Sequence, residues 1–292
     1  MSARFEQTEV DRIVGNVLYG KAGKDDAVVN YVKVTSDGRL YTLNTTYAYQ
    51  IAEGNIANHS SWFKIGYTGT VAANVESDIW SGTGVYTFPT SGIQMSVRSS
   101  SLLDNDNSGS TGAASVIIYY LNSNFIEYTE TLALDGTNWV DTVATNIYRI
   151  NGFRIIQTGS LGKSIGNITL VNKTTRTVVY GYITAGYNRG RNSCYTVPAG
   201  KTLYITQFVS SYAYSHNTSH YARIYMRATE NEGIRTPGIF YPYTEVIASN
   251  SSVPVTLEIP AKIVEKADIK VSIIADYAGI AVCSLRGWLE TY

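Results

Sequence analysis

Hydrophobic positions fall into two regimes along the chain. Near the start, Val10, Ile13, Val14, Val17 and Leu18 stand at i, i+3, i+4, i+7 and i+8, the spacing of an amphipathic helix. Gly20 and Gly23 would end it, and Gly15 weakens it by about 1 kcal/mol relative to alanine. Residues 28–34 then read as a strand, Ser36, Asp37 and Gly38 as a turn, and 39–43 as the resumed strand. Asp-Gly between apolar runs is a good short hairpin signal. Residues 1–60 are therefore expected to form an N-terminal arm with a short helix and a hairpin.

From Trp62 onward the pattern is strand after strand. Segments rich in Val, Ile, Thr and Tyr recur every 8–14 residues, at 93–97, 115–121, 128–134, 148–156 and 177–183, with Gly, Ser, Asn and Asp between them. Residues 185–193 lack periodicity and mark a boundary. The rhythm resumes at 201–205, 221–227, 253–259 and 269–273, and the last two alternate apolar with polar, which predicts one buried and one wet face. Pro254 removes a backbone donor and favours a sheet edge for its strand. The apolar stretch 281–289 would close a core. No helical pattern of ten residues follows the arm, which argues against a Rossmann or α/β-barrel scaffold. The expected fold is all-β: two tandem β-sandwich or jelly-roll-like domains, 61–185 and 186–292, after the 1–60 arm.

Composition narrows the function. The 292 residues carry 23 Lys+Arg against 23 Asp+Glu, and only 16% are charged, where about 25% is usual. Zero net charge removes the electrostatic footprint of a nucleic-acid binder. With 44% hydrophobic residues the chain can bury a sizeable core, so disorder is not expected. No run reaches the roughly 18 apolar residues of a membrane span, and the N-terminus lacks a signal-peptide core, so synthesis and folding in a cytoplasm are expected.

Candidate chemistry is thin. Gly162, Lys163 and Ser164 imitate the tail of a phosphate-binding loop, but Gln157 stands where its first glycine belongs and a strand-like segment follows instead of a helix. Asp104 to Gly109 has oxygen ligands at calcium-loop positions one, three and five, yet Ser115 occupies the position of the bidentate Glu. Asx turns at a hairpin end explain such a cluster equally well. His216 and His220 lie four apart in a loop with no nearby Cys or Glu, and His59 is alone, so no metal site is expected. Cys194 and Cys283, 89 residues apart, read as buried thiols, with a disulfide as the alternative. There is no Gly-x-Ser-x-Gly elbow, and Glu76, Asp78, Glu127, Glu130, Asp135 and Asp141 are scattered, so no enzyme and no cofactor are expected. Six Asn-x-Ser/Thr sequons, at Asn44, Asn58, Asn167, Asn172, Asn217 and Asn250, carry little without a secretory signal.

Tyrosine is the outlier, 24 residues against seven phenylalanines. Tyr41, Tyr47 and Tyr49 crowd the arm; Tyr212, Tyr214, Tyr221, Tyr225, Tyr241 and Tyr243 crowd the last third. Tyrosine suits a half-buried pleat, and it also supplies contact area with a polar tip at wet interfaces. The interface reading selects Tyr41, Tyr47, Tyr49, Tyr212, Tyr214, Tyr241 and Tyr243. A sugar-stacking platform in the 211–220 loop is the third reading.

A family resemblance runs through residues 28–290. ESDIW at 76–80 and GVYTFP at 84–89 are followed by Ser99-Ser100, GSTGA at 109–113, VIIYYL at 116–121 and ETLALDG at 130–136. Then come Thr158-Gly159, GNI at 166–168, ITAGYN at 183–188, YTVPAGKT at 195–202 and the turn region 260–269, with DGRL at 37–40 in the arm. This order resembles virion structural proteins of tailed bacteriophages, notably those of cyanobacterial and aquatic hosts. The resemblance implies a non-enzymatic cement or decoration protein of the head, with the major capsid protein or other virion subunits as partners and a homo-oligomeric state. It offers no catalytic motif. Neutral charge would place such a protein on the capsid exterior, away from nucleic acid, and no membrane contact is expected. The rival from another class is a tail-fibre or receptor/carbohydrate-binding β-sandwich module.

Overall fold

Strand formers dominate the sequence after position 59, and the fold is nearly all strand. The computed structural model describes Val17–Gly20, Asn30–Lys33 and residues 47–292. Two units are present, Met1–Gln50 and Ile51–Tyr292. In chain order, β1 (Val17–Gly20) and β2 (Asn30–Lys33) precede α1 (Tyr47–Ala52). Next come β3 (His59–Val71), β4 (Ser77–Asp78), β5 (Met95–Ser99), β6 (Ala113–Leu121), β7 (Glu127–Ala133), β8 (Val140–Asp141), β9 (Arg149–Thr158), β10 (Ile168–Asn172) and β11 (Val179–Ile183). The last stretch carries β12 (Tyr195–Thr196), β13 (Lys201–Ala213), β14 (Ala222–Ala228), β15 (Glu230–Asn231), β16 (Ile234–Arg235), β17 (Tyr241–Ala248), β18 (Ser251–Ile263), β19 (Asp268–Ala275) and β20 (Gly279–Thr291).

The arm differs from its expected pattern. Val17 and Leu18, assigned by periodicity to a helix, lie in β1, which pairs antiparallel with β2 from Val17 opposite Lys33 to Gly20 opposite Asn30. Strand pairing in which Leu18 stands opposite Val32 and Tyr19 opposite Tyr31 overrides a helical spacing that Gly15 and Gly20 already weaken. Val10, Ile13, Val14 and the expected strand at 39–43 lie outside the described residues. The helix among the described residues is α1, away from the expected position; it carries Tyr47 and Tyr49 and buries Ile51.

Two hydrophobic clusters organise Ile51–Tyr292. In one, the sheet β11-β10-β5-β8 packs on the sheet β7-β6-β9. Met95, Val97, Ile168 and Leu170 from the first meet Val116, Ile118, Ile150 and Phe153 from the second. In the other, the sheet β18-β13-β20-β3 packs on β12-β19-β14-β17, with β4 added beside β19. Its centre is Leu203, Ile205, Phe208 and Leu285 against Ile224, Met226, Val271 and Ile273. Every ladder between named strands is antiparallel. Core membership does not follow chain order: Trp62, Val71 and Ile79, early in sequence, belong to the cluster built by residues 195–289. No helix among the described residues is long and apolar enough to cross a membrane.

Both strands with an expected wet face are informative. β18 is an edge strand carrying Pro254, and its side chains are mostly exposed or half-buried. Ile205 faces Ala261 while Gln207 faces Thr256, so Thr206 alone stands opposite residues 257–260, a wide bulge whose Ile259 is 86% exposed. β19 breaks the expectation. Its polar positions, Asp268, Lys270 and Ser272, are buried along with its apolar ones. Residues from β4, from the segment holding Tyr86 and from β9 cover that face with partners instead of water.

Candidate functional site

Every buried charge in this protein must be paired or hydrogen-bonded, and following each one to its partners separates structural groups from available ones. On β19, Asp268 is gripped by Arg149 of β9 through two bonds, Nε to Oδ1 at 2.8 Å and Nη2 to Oδ2 at 3.0 Å. Thr196 Oγ1 donates to Asp268 Oδ1 at 2.6 Å, and Arg149 Nη1 donates to the carbonyls of Pro89 and Tyr148. The guanidinium lies 3.9 Å from the Tyr148 ring centre. Burial alone would lower the Arg149 pKa, but the hydrogen bond and charge of Asp268 outweigh it and raise the pKa above its ordinary value. This pair joins the two sandwiches. Two residues along β19, Lys270 Nζ stands 3.1 Å from Asp78 Oδ1, which also accepts from Ser272 Oγ at 2.7 Å, while Asp78 Oδ2 accepts from the Tyr86 amide at 2.8 Å.

The two loop motifs singled out in the sequence turn out to satisfy each other. Asp104 is fully buried. Its Oδ1 accepts from the amides of Ala113 (2.8 Å) and Ile165 (2.9 Å), and its Oδ2 from the Gly166 amide (2.8 Å) and Ser99 Oγ (2.6 Å). The amides after Gly162-Lys163-Ser164 thus hold an internal carboxylate where a nucleotide loop would hold phosphate. The calcium-loop reading loses its first ligand to the same contacts, and Asn105 and Asn107 close an ordinary turn. A Cβ on Gly112 would stand 2.0 Å from Asp104 Oδ1, so glycine is required there by the close approach.

The cysteines are both free and buried, as thiols. Burial pushes both up, Cys283 to about 12, with the charge of Asp78 adding to the rise at Cys194. Neither is a nucleophile in this setting.

The selected tyrosines separate by position. Tyr41 lies outside the described residues, whereas Tyr47 and Tyr49 on α1 are 48% and 51% exposed. Tyr241 and Tyr243 on β17 are half-buried, and the Tyr243 phenol donates to the buried Glu230 Oε2. Tyr212 is only 1% exposed; its ring is part of the core, its phenol donates to the Tyr277 carbonyl, and burial pushes it up to about 12. Positions two apart share a strand face, but β13 ends at Ala213, so Tyr212 is the last of its rings inside the core and Tyr214, just past the strand, is half-buried at the sandwich rim.

That rim is the candidate site. Three connectors pass between the two facing sheets at one end of the sandwich: 214–221 after β13, 276–278 after β19, and Ser249-Asn250 after β17. They are laced together. Asn250 Oδ1 accepts from the Tyr214 amide (2.8 Å), Asp276 Oδ1 accepts from the Tyr221 amide (2.9 Å), and the Tyr214 phenol oxygen accepts from the His220 amide (2.8 Å). Tyr277 lies flat against His220, with ring centres 4.4 Å apart and planes at 21°, and 4.6 Å from His216. His216 and His220 meet each other at 4.9 Å. Beside this cluster runs an open, mainly apolar groove of about 870 Å³, lined by Tyr214 and Tyr277 together with Val71, Val75 and Thr83. Aromatic faces at an apolar groove can stack on a flat ligand or bury against a partner. The sequence pointed to the 211–220 loop but missed Tyr277 and Asp276, which the β19–β20 connector brings to it from 60 residues away.

No protein-family model matches the chain, and no curated protein matches it. Among solved structures, the VP2 subviral particle of infectious bursal disease virus aligns at 10% identity over 80% of this chain and 77% of that one, with a TM-score of 0.15. The T=1 particles derived from the same virus align at 12% identity over 80% and 74%, with a TM-score of 0.12. At these TM-scores the likenesses carry no argument about fold or function.

Proposed function

We propose that this chain is a non-enzymatic structural protein of a virion, of the cement or decoration type, held on the exterior of a tailed-phage capsid by protein–protein contacts. The observation that carries the reading is the surface. Val143, Ile259, Ile234 and Leu102 are each at least 70% exposed, in a chain with few charges and with Tyr47 and Tyr49 half out on α1. Large apolar and tyrosine side chains with sparse charge are interface chemistry, and the sequence resemblance to phage virion proteins points the same way. The buried acids support a structural role, since Asp78, Asp104 and Asp268 are all engaged by the chain's own donors. On a shell, many weak copies acting together replace one strong site. The partners are the major capsid protein or other virion subunits, and further copies of this chain. We also propose two domains after the arm, each folding around one of the two hydrophobic clusters, with β3 and β4 docked on the C-terminal one; limited proteolysis that cuts within 185–193 and leaves both parts folded would support this.

A map of purified virions by electron microscopy tests the main reading. Density for two stacked sandwiches on the outer shell is expected; absence of the protein from purified particles, or its confinement to the tail, overturns it. The second reading, a tail-fibre or carbohydrate-binding module, is favoured by one observation, the Tyr214–Tyr277 wall of the groove. It predicts binding on a glycan array that is lost in Tyr214→Ala, and no binding to any host polysaccharide removes it.

A further inference from the structure

The loop between β13 and β14 holds three lone-pair atoms in a near-equilateral triangle. His216 Nδ1 and Thr218 Oγ1 are 2.9 Å apart, Thr218 Oγ1 and His220 Nε2 are 3.1 Å apart, and the two imidazole nitrogens are 3.2 Å apart. The tautomers follow from the neighbours. The Thr218 amide, which can only donate, points at His216 Nδ1 at 3.2 Å, so that nitrogen carries a lone pair. Asp276 Oδ2 lies 3.3 Å from His220 Nδ1 and can only accept, so Nδ1 carries a proton, and in the neutral ring Nε2 carries the second lone pair. With both rings neutral, two imidazole lone pairs face each other, and the Thr218 hydroxyl has one proton for the two of them. The arrangement calls for an electrophile.

We propose that His216 Nδ1, His220 Nε2 and Thr218 Oγ1 form one face of a tetrahedral site for a divalent transition-metal ion of the zinc class. Zinc–nitrogen bonds of 2.0–2.1 Å give a ligand-to-ligand edge of about 3.3 Å, and the three edges here come within a few tenths of an ångström of it. Asp276 supplies the second-shell contact that metal-bound histidines commonly carry, a carboxylate on the far ring nitrogen that fixes the tautomer and raises ligand basicity. Tyr277, stacked on His220, fixes the plane of that ring. His216 and Thr218 are exposed, so the fourth position is open to water or to a donor from a neighbouring molecule. Among the described residues no three His, Cys, Asp or Glu ligands converge, so a hydroxyl stands where a third strong ligand would be, and the affinity expected is moderate, in the micromolar range. Binding exchanges the long Thr218 amide bond to His216 for a coordinate bond. The function of such an ion is to stiffen the rim of the groove, because it ties the two ends of the 214–221 connector together.

The test uses the full chain, stripped with chelator and titrated with zinc chloride by calorimetry, with thermal melting in parallel. One ion per chain and a raised melting temperature are expected. His216→Ala and His220→Ala should each weaken binding by at least 100-fold, Asp276→Asn by about 10-fold or more, and His59→Ala not at all. Cobalt(II) bound to the unaltered chain should show the intense visible absorption of a tetrahedral ion, a readout that needs no variant to fold. Absence of saturable binding below millimolar zinc overturns the proposal. So does binding untouched by His216→Ala, or a proton titration in which the two imidazoles share one proton and zinc changes nothing.

Discussion

The two sandwiches each bury aspartate, and they satisfy it in opposite ways. Asp104, in the β5–β11 sandwich, is held by neutral donors alone: three backbone amides and a serine hydroxyl. Asp268 and Asp78, in the sandwich of β3, β4 and β12–β20, are each held by a full opposite charge, Arg149 and Lys270. The first solution keeps a net negative charge inside and depends on loops staying where their amides point. The second cancels the charge, and Arg149 comes from the other sandwich, so it also fixes one sandwich on the other. The cost of losing a partner should differ accordingly.

The largest effect is expected at the inter-sandwich pair. Arg149→Met leaves Asp268 buried and uncompensated and should cost about 3–5 kcal/mol by denaturant unfolding, while pairing it with Asp268→Leu should recover most of the loss. A single variant that costs under about 1 kcal/mol would show that the two sandwiches do not depend on the pair. Next, Asp104→Asn turns an amide donor toward N–H groups and leaves at least one of them unpaired, which should cost about 1–3 kcal/mol. An equal loss at Asp104 and Arg149 would erase the contrast between neutral and charged partners.

Lys64 sharpens the comparison through pH. Its ammonium is enclosed between the sandwiches with only the Asn151 carbonyl and the Tyr195 ring as partners, although the residue as a whole is half-buried. Burial lowers its pKa from 10.5 to about 8. Below about pH 8 folded and unfolded chains both carry the proton and the burial penalty is in full force. Between about 8 and 10.5 the unfolded chain binds more protons than the folded one, so stability contributed at this site rises with pH. The difference in unfolding free energy between the parent chain and Lys64→Met should therefore move in the parent's favour across that window; a flat difference would mean the ammonium is solvated. The smallest effect belongs to the surface. Lys173 and Asp141, 2.9 Å apart but 39% and 34% exposed, should contribute no more than about 1 kcal/mol, read from Lys173→Ala.

The β class and most strand positions were legible because they rest on local rhythm and turn residues. What was hidden was which face of a strand would be covered, and by what. In β19 the alternation Asp268, Lys270, Ser272 reads as a wet face, and only the return of Arg149 and Asp78 from distant parts of the chain makes it a buried ionic seam. The 104–109 and 162–166 motifs each resembled a ligand loop because each lacked, in sequence, the partner that the other supplies. Tyr212 and Tyr214 look alike in sequence, and the end of β13 at Ala213 separates them, the first in the core and the second at the groove. The candidate site was half visible: His216 and His220 announce themselves by spacing, but Asp276 and Tyr277 arrive by topology.

The edge strand β18 has a consequence for crowding. At high local concentration any long unpaired strand edge is a template for runaway polymerisation. Pro254 deletes one donor from that edge, and the excursion at 257–260 throws the backbone out of register for the rest of it. Both features work against strand-to-strand zipping along β18, so copies crowded together, as the proposed coat would require, would meet through side chains instead of growing into a fibre.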